Sequence, residues 1–172
     1  MGTRGAIARK TKDGFEGRYH HWDSYSDGLG EALFKLCRGH FGGDFTTMVR
    51  TLIDDHPGGW STIIGADWAL VPGFNERAGP DRPQCYCHGD RSEEGWLVTQ
   101  DNAGDSGCEY VYVIDEKGTM QVLSSYNSDG GKMIGFFGQG NPDAKWVEIG
   151  KVDLTSDEEP DWVNMGRSGE ED

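Results

Sequence analysis

Glycine restricts the architectures open to this chain more than any other residue, with 27 glycines among 172 residues. Glycine at this frequency is typical of many tight turns and short connections. One such turn, TKDG at 11–14, ends in the Asp-Gly pair that favours β-hairpins. Similar turn sequences recur later in the chain, reading GDRSEEG, DNAGDSG, DEKG, NSDGG and GQGNPDA. The pattern predicts short strands joined by turns.

The segments between these turns divide into predicted strands and two predicted helices. Residues 4–10 and 15–21 form a hairpin around the TKDG turn. Helices are predicted over about 29–40 and about 45–55, with Asp44 as the N-cap of the second. Further strands are predicted at 61–64, 84–88, 95–100, 108–114, 119–125, 132–137 and 145–153.

Together these elements predict an α+β fold. An antiparallel sheet would combine the N-terminal hairpin with the C-terminal meander, and the two helices would pack on one face. Strand 108–114 is apolar on both faces, which favours a central position covered from both sides. Residues 1–154 are expected to form one domain and 155–172 an acidic, flexible tail. Within that tail, Trp162 is expected to dock on the body with its apolar neighbours.

The net charge limits the kinds of partner that the protein is expected to bind. Thirty acidic residues against 16 basic residues give a net charge of −14, which repels nucleic acid and anionic membranes. We therefore expect neither direct nucleic-acid binding nor membrane association. The sequence has no apolar run of about 20 residues and no signal-peptide pattern, so a cytoplasmic location is expected. The acidity leaves open a DNA mimic or a protein that docks on a basic partner.

The segment 19–30, YHHWDSYSDGLG, is the first candidate site, because it joins a strand to a helix. Strand alternation sends His20 and His21 to opposite faces. Asp23 follows His21 closely enough to orient its imidazole, which is the arrangement that general acid–base catalysis uses. If the protein is an enzyme, His21 and Asp23 are the predicted catalytic residues.

The same segment also has a purely structural interpretation. Asp27 could cap the following helix and the glycines could serve the tight turn. In that case Trp22 and Tyr25 would fill the core beneath the loop. A weaker functional alternative is an anion bound by free N–H groups at the helix start.

A second candidate site contains three of the four cysteines. Cys85, Cys87 and Cys108, with His88, are weak candidates for a structural zinc site. The C-x-C spacing differs from the usual C-x-x-C knuckle, so buried, reduced cysteines are the alternative. The adjacent Arg91 lies in a charged turn that is either a solvated hairpin tip or a contact for an anionic ligand near His21.

MGTRG at the start, followed by YHHWDSYSDGLGEALFKL, resembles an uncharacterised family of small bacteriophage and bacterial proteins. That family opens with MGTR or MSTR, forms a short hairpin and carries a Y-x-H-W-D-x-Y-x-x-G-x-G signature before a helix. Here the signature falls on Tyr19, His21, Trp22, Asp23, Tyr25, Gly28 and Gly30. The resemblance implies a phage or prophage origin and a shared site, but supplies no reaction.

From these observations we expect a phage-type accessory protein that acts by binding, in a context of host takeover or anti-defence. Its partner would be a host protein or a small anionic ligand such as a nucleotide. The predicted contact residues are Tyr19, His21, Trp22, Asp23, Tyr25, Asp27 and Arg91. The alternatives are a small hydrolase of a phosphoester or nucleotide using His21, Asp23 and Arg91, and an acidic DNA mimic or structural interaction protein. No cofactor is expected, with zinc as the alternative.

Overall fold

The computed structural model describes residues 3–64, 68, 84–85, 97–104, 106–125 and 146–165. Two α-helices lie in these ranges, α1 (Glu31–Arg38) and α2 (Phe45–Val49). A π-helical segment, Ser26–Gly30, leads into α1, and another, Arg50–Asp54, continues α2. The described strands are β1 (Gly5–Thr11), β2 (Gly14–His20), β3 (Trp60–Thr62), β4 (Gln84–Cys85), β5 (Val98–Thr99), β6 (Tyr110–Ile114), β7 (Thr119–Ser124) and β8 (Val147–Asp153).

The strands form one sheet in the order β4-β3-β2-β1-β6-β7-β8, with β5 also paired to β2. The α+β class is confirmed, but the expectation of a purely antiparallel sheet is wrong. β1 pairs with β6 in parallel, and β2 pairs with β3 in parallel. After the hairpin, the chain passes through the helices before β6 joins the far side of β1. Because β2 is antiparallel to β1 and ends beside its first residue, β6 can begin at that same end and run parallel to β1.

The second helix, α2, begins where a local sequence signal places it. Asp44 accepts a hydrogen bond of 3.0 Å from the Thr47 N–H, so the predicted N-cap is confirmed. The segment that follows buries Met48, Leu52 and Ile53 against the sheet. α1 buries Leu33, Phe34, Leu36 and Cys37 on the same face.

β6 lies in the middle of the sheet, as its apolar pattern predicts. Tyr112 and Ile114 belong to the core on the helix side. Val111 and Val113 belong to a second core on the opposite face, with Ala6, Ala8, Phe15, Val98 and Cys108. The sheet is therefore covered on both faces along its central strands.

The C-terminal segment packs against the core of the protein. Trp162 is only 4% exposed and belongs to the helix-side core, whereas its neighbour Val163 is 54% exposed. Residues 166–172 and the predicted strand 132–137 lie outside the described residues. The flexibility of the tail stays a prediction.

Of the helices in the described ranges, none has the length and apolar character that a bilayer crossing requires.

Candidate functional site

Buried polar side chains gather at one end of the strands. Register pairs Gly5 at the start of β1 with His20 at the end of β2 and with Tyr110 at the start of β6. Buried polar residues at or beside this end are Thr3, His20, Ser24, Ser26, Ser124 and Ser125. Burying polar groups is costly unless each finds a partner, so such a group is usually retained for a reason. The loop at this end, residues 21–30, is called the site loop below.

Backbone hydrogen bonds fix the site loop on several sides. The N–H groups of His21 and Trp22 donate to carbonyls of the β3 segment at 2.9 and 3.2 Å. The Ser24 N–H donates to the Thr3 carbonyl at 2.8 Å. From below, the Tyr112 hydroxyl donates to the Ser24 carbonyl at 2.5 Å. The loop therefore holds one backbone path between β2 and α1.

Asp23 ties the loop to the start of the chain. Its Oδ1 accepts a hydrogen bond of 3.1 Å from the Thr3 backbone N–H, and the Trp22–Asp23 peptide bond is cis. Two glycines make this packing possible. A Cβ on Gly5 would lie 2.6 Å from Ser24 Cβ, and a Cβ on Gly28 would lie 2.7 Å from the Asp23 carbonyl oxygen. Gly5 of MGTRG thus allows close contact between the chain start and the loop, and Gly28 allows the loop to pack on itself.

His20 is a buried structural histidine. Its Nε2 accepts a hydrogen bond of 3.1 Å from the Ile63 N–H, and its Nδ1 lies 3.1 Å from Ser24 Oγ. Since Nε2 accepts, the neutral ring must carry its proton on Nδ1 and donate it to Ser24. Burial, followed by the charge of neighbouring His21, lowers the pKa of His20 to about 3. His20 therefore stays neutral in the fold near neutral pH.

His21 faces solvent, so the predicted division of the two histidines between opposite faces is confirmed. Its Nδ1 lies 2.8 Å from the Tyr19 hydroxyl. Within the described part of the chain, His21 makes no hydrogen bond with Asp23, whose carboxylate is engaged by Thr3. The structure brings Tyr19 and His21 together but does not assemble the expected His21–Asp23 pair.

Trp22 and Tyr25 project outward from the loop and are 47% and 45% exposed. The interpretation that they fill the core beneath the loop is therefore wrong. Buried Ser24 and Ser26 turn inward in their place, and the Tyr25 ring stands edge-on to Tyr110 at 5.9 Å. Asp27 is exposed, and no side chain caps the start of the π-helical segment or of α1. The predicted capping role of Asp27 is thus also wrong.

The candidates near the cysteines are only partly described. Arg91, Cys87 and His88 lie outside the described residues, so their predicted roles stay predictions. Cys85 belongs to the helix-side core and Cys108 to the core on the opposite face. Those two thiols therefore do not share a site. Across the described ranges, no three His, Cys, Asp or Glu side chains come together as a metal site would require.

Sequence reasoning missed several residues that shape this site, namely Thr3, Ser24, Ser26 and Tyr112. Their contribution comes from partners far along the chain, such as the 88 positions between Ser24 and Tyr112. The one local signal is the run Ser24-Tyr25-Ser26, where an aromatic residue alternates with two small hydroxyl residues as in a strand with one buried side. Comparison with protein-family models, with curated proteins and with solved structures finds no match.

Proposed function

We propose that this chain is a phage-type accessory protein that acts by binding a host protein through the site loop. The observation that carries the proposal is the exposure of Trp22 and Tyr25 on a loop with a fixed backbone. Large aromatic side chains supply much of the binding energy at protein interfaces when they enter a partner's pocket.

The fixed backbone of the site loop supports this role. Binding costs free energy when a flexible segment must become ordered. Here Ser24 is held by the Thr3 carbonyl above and by the Tyr112 hydroxyl below. Trp22 and Tyr25 therefore flank a residue whose position is set before any partner arrives.

Local charge favours a protein partner over a small anionic ligand. Asp27 is exposed beside the two rings, Asp23 is half-buried in the loop, and the whole chain carries a net charge of −14. This surface repels phosphate groups and attracts basic protein surfaces. An anionic ligand would depend on Arg91, which lies outside the described residues.

The phage context of the proposal comes from the resemblance in MGTRG and the loop signature. Two close contacts support it, since Gly5 packs on Ser24 and Gly28 on Asp23. A motif kept for this purpose would preserve the presentation of Trp22 and Tyr25. Host takeover and anti-defence are contexts in which a small protein acts by occupying a surface on a host protein.

A photo-crosslinking experiment tests the proposal. A benzoylphenylalanine at position 25 is expected to capture a defined protein from bacterial lysate, and the same probe at Val147, also exposed, is not. The captured protein is then purified and its affinity measured by calorimetry. Trp22→Ala and Tyr25→Ala should each weaken binding at least about tenfold. Leu97→Ala, at another exposed apolar residue, should leave affinity unchanged.

Two results would overturn the proposal. One is a purified partner that binds wild-type, Trp22→Ala and Tyr25→Ala proteins equally. The other is a nucleotide or other small anion that binds in calorimetry and whose affinity depends on His21 or Arg91 but not on Trp22. The second result would revive the small-ligand and hydrolase alternatives.

A further inference from the structure

The C-terminal segment packs directly against the site loop. The Ser26 hydroxyl donates a hydrogen bond of 2.9 Å to the Trp162 carbonyl, and both residues are buried. The Trp162 ring stands edge-on to Phe34 of α1 at 6.1 Å between centroids. A residue 136 positions further along the chain therefore supplies the partner of a buried hydroxyl in the loop.

Gly30, the last glycine of the loop signature, makes room for this contact. A Cβ at Gly30 would lie 3.0 Å from the Trp162 ring and 3.1 Å from the Tyr112 ring. Few side chains tolerate contacts that short in a packed core, so any larger residue would push one of the two rings away. The glycine at this position thus serves the seating of Trp162 and not only the turn.

Other contacts hold the residues that precede Trp162. The Trp162 indole N–H donates to Glu159 Oε2 at 2.8 Å. Arg38, at the end of α1, donates to the Leu154 carbonyl at 3.3 Å and forms an ion pair with Asp157. The segment 154–162 therefore follows α1 from its C-terminal end back to the loop that precedes it.

We infer that residues 154–162 act as a clasp and that Trp162 is a positioning residue for the site loop. This inference rests on the proposed function and assigns the C-terminal segment to the same site. Asp23 is held by Thr3 near the start of the chain, and Ser26 is held by Trp162 near its end. Tyr25 lies between these two anchors. Without the Trp162 ring to seat the segment, the Trp162 backbone carbonyl is no longer held against the buried Ser26 hydroxyl, and the second half of the loop loses this anchor.

Hydrogen–deuterium exchange of the full chain tests the inference without any partner. In Trp162→Ala, amides of residues 24–30 should exchange at least about tenfold faster, because the local opening equilibrium shifts. Amides of the β1–β2 hairpin serve as the internal reference and should keep their wild-type rates. Val163→Ala changes an exposed neighbour and should leave the loop unchanged.

Milder variants guard against general loss of structure in Trp162→Ala. Ser26→Ala removes only the hydroxyl that bonds the Trp162 carbonyl, and Trp162→Phe keeps a ring in the same place. Ser26→Ala should still speed exchange in 24–30 selectively, and Trp162→Phe should do so less than Trp162→Ala. If Ser26→Ala leaves exchange in 24–30 unchanged, or speeds the reference hairpin equally, the inference is overturned.

The same variants separate this inference from the proposed function. If exchange in 24–30 rises while Trp22→Ala has no effect on partner binding, the clasp stands and the binding proposal fails. If Trp22→Ala abolishes binding while all clasp variants exchange and bind like wild type, the binding proposal stands and the clasp fails.

Discussion

The Tyr112 hydroxyl donates a hydrogen bond of 2.5 Å to the carbonyl of Ser24. Tyr112 lies on the central strand β6 and Ser24 in the site loop, and both are fully buried. Burial raises the pKa of Tyr112 well above its ordinary value, so the hydroxyl is a donor near neutral pH. The middle of the sheet thus supports the loop from beneath.

Tyr112→Phe is expected to destabilise the protein by roughly 1–3 kcal/mol, because it leaves the buried Ser24 carbonyl without its donor. Urea unfolding followed by circular dichroism measures the change. Tyr25→Phe removes a hydroxyl from an exposed ring and should stay within about 0.5 kcal/mol of wild type. Equal free energies of unfolding for the two variants would contradict the role assigned to Tyr112.

The low pKa of His20 predicts that the protein loses stability in mild acid. Its pKa is about 3 in the fold, below the value of 6.5 expected for an unfolded chain. Between these values the unfolded chain binds one more proton than the folded chain, so lowering the pH favours unfolding. The contribution is fully present above pH 6.5 and is lost progressively as the pH falls toward 3. We expect a decrease of about 1 kcal/mol from His20 between about pH 7 and about pH 5.5.

Urea unfolding at several pH values checks this expectation. His20→Gln should lower the free energy of unfolding near neutral pH, because Gln cannot reproduce both hydrogen bonds of the buried ring. It should also flatten the decrease between about pH 7 and about pH 5.5. His21→Gln, at the exposed neighbour, removes only the smaller of the two causes of the low His20 pKa, so most of the wild-type pH dependence should remain. A wild-type decrease that persists undiminished in His20→Gln would refute the assignment.

Local features of the fold could be predicted because their causes lie within a few residues. The Asp-Gly turn at 13–14 fixes the β1–β2 hairpin, and the register indeed pairs Thr11 with Gly14. Asp44 caps α2 through Thr47, three positions away. The two apolar faces of β6 predicted its central place from one strand alone.

The remaining features depend on contacts that no local pattern encodes. The parallel pairing of Gly5 with Tyr110 joins residues more than a hundred positions apart, so turn signals cannot distinguish it from an antiparallel pairing. Asp23 looked like a partner for His21 because they are close in sequence. In the structure, the Asp23 carboxylate instead accepts a hydrogen bond from the Thr3 backbone N–H. Side-chain patterns in the sequence do not indicate such a contact.

Gly28→Ala tests whether the loop signature serves close packing. Without a steric conflict, replacing glycine by alanine commonly stabilises a protein by about 0.4–1 kcal/mol, because the unfolded chain loses entropy. Here the new Cβ would lie 2.7 Å from the Asp23 carbonyl oxygen, which is backbone and cannot turn aside. We therefore expect a loss of about 1–3 kcal/mol, the usual cost of overpacking.

Thermal unfolding measures whether Gly28→Ala raises or lowers the stability of the protein. A loss of stability is the outcome expected from close packing. Gly42→Ala is the comparison, since its Cβ would meet no atom within 4 Å but its φ of 58° disfavours alanine. That variant isolates the cost of backbone conformation, about 1 kcal/mol. A stabilised Gly28→Ala protein would show that Asp23 and Gly28 do not pack as described.

Cys108 is expected to resist alkylation in the folded protein. Burial raises the pKa of its thiol to about 12, although Arg4 acts in the opposite direction. Thiolate is the reactive form, so near pH 8 its reaction with iodoacetamide should be roughly a thousandfold slower than that of an ordinary thiol. Peptide mapping by mass spectrometry over time should find Cys108 modified only after urea is added.

Rapid modification of Cys108 in the native protein would mean that the core around Val111 and Ala103 is open. If the protection disappears when a zinc chelator is added, a metal ion holds the Cys108 thiolate. That result would contradict the position of Cys108 on the opposite face of the sheet from Cys85.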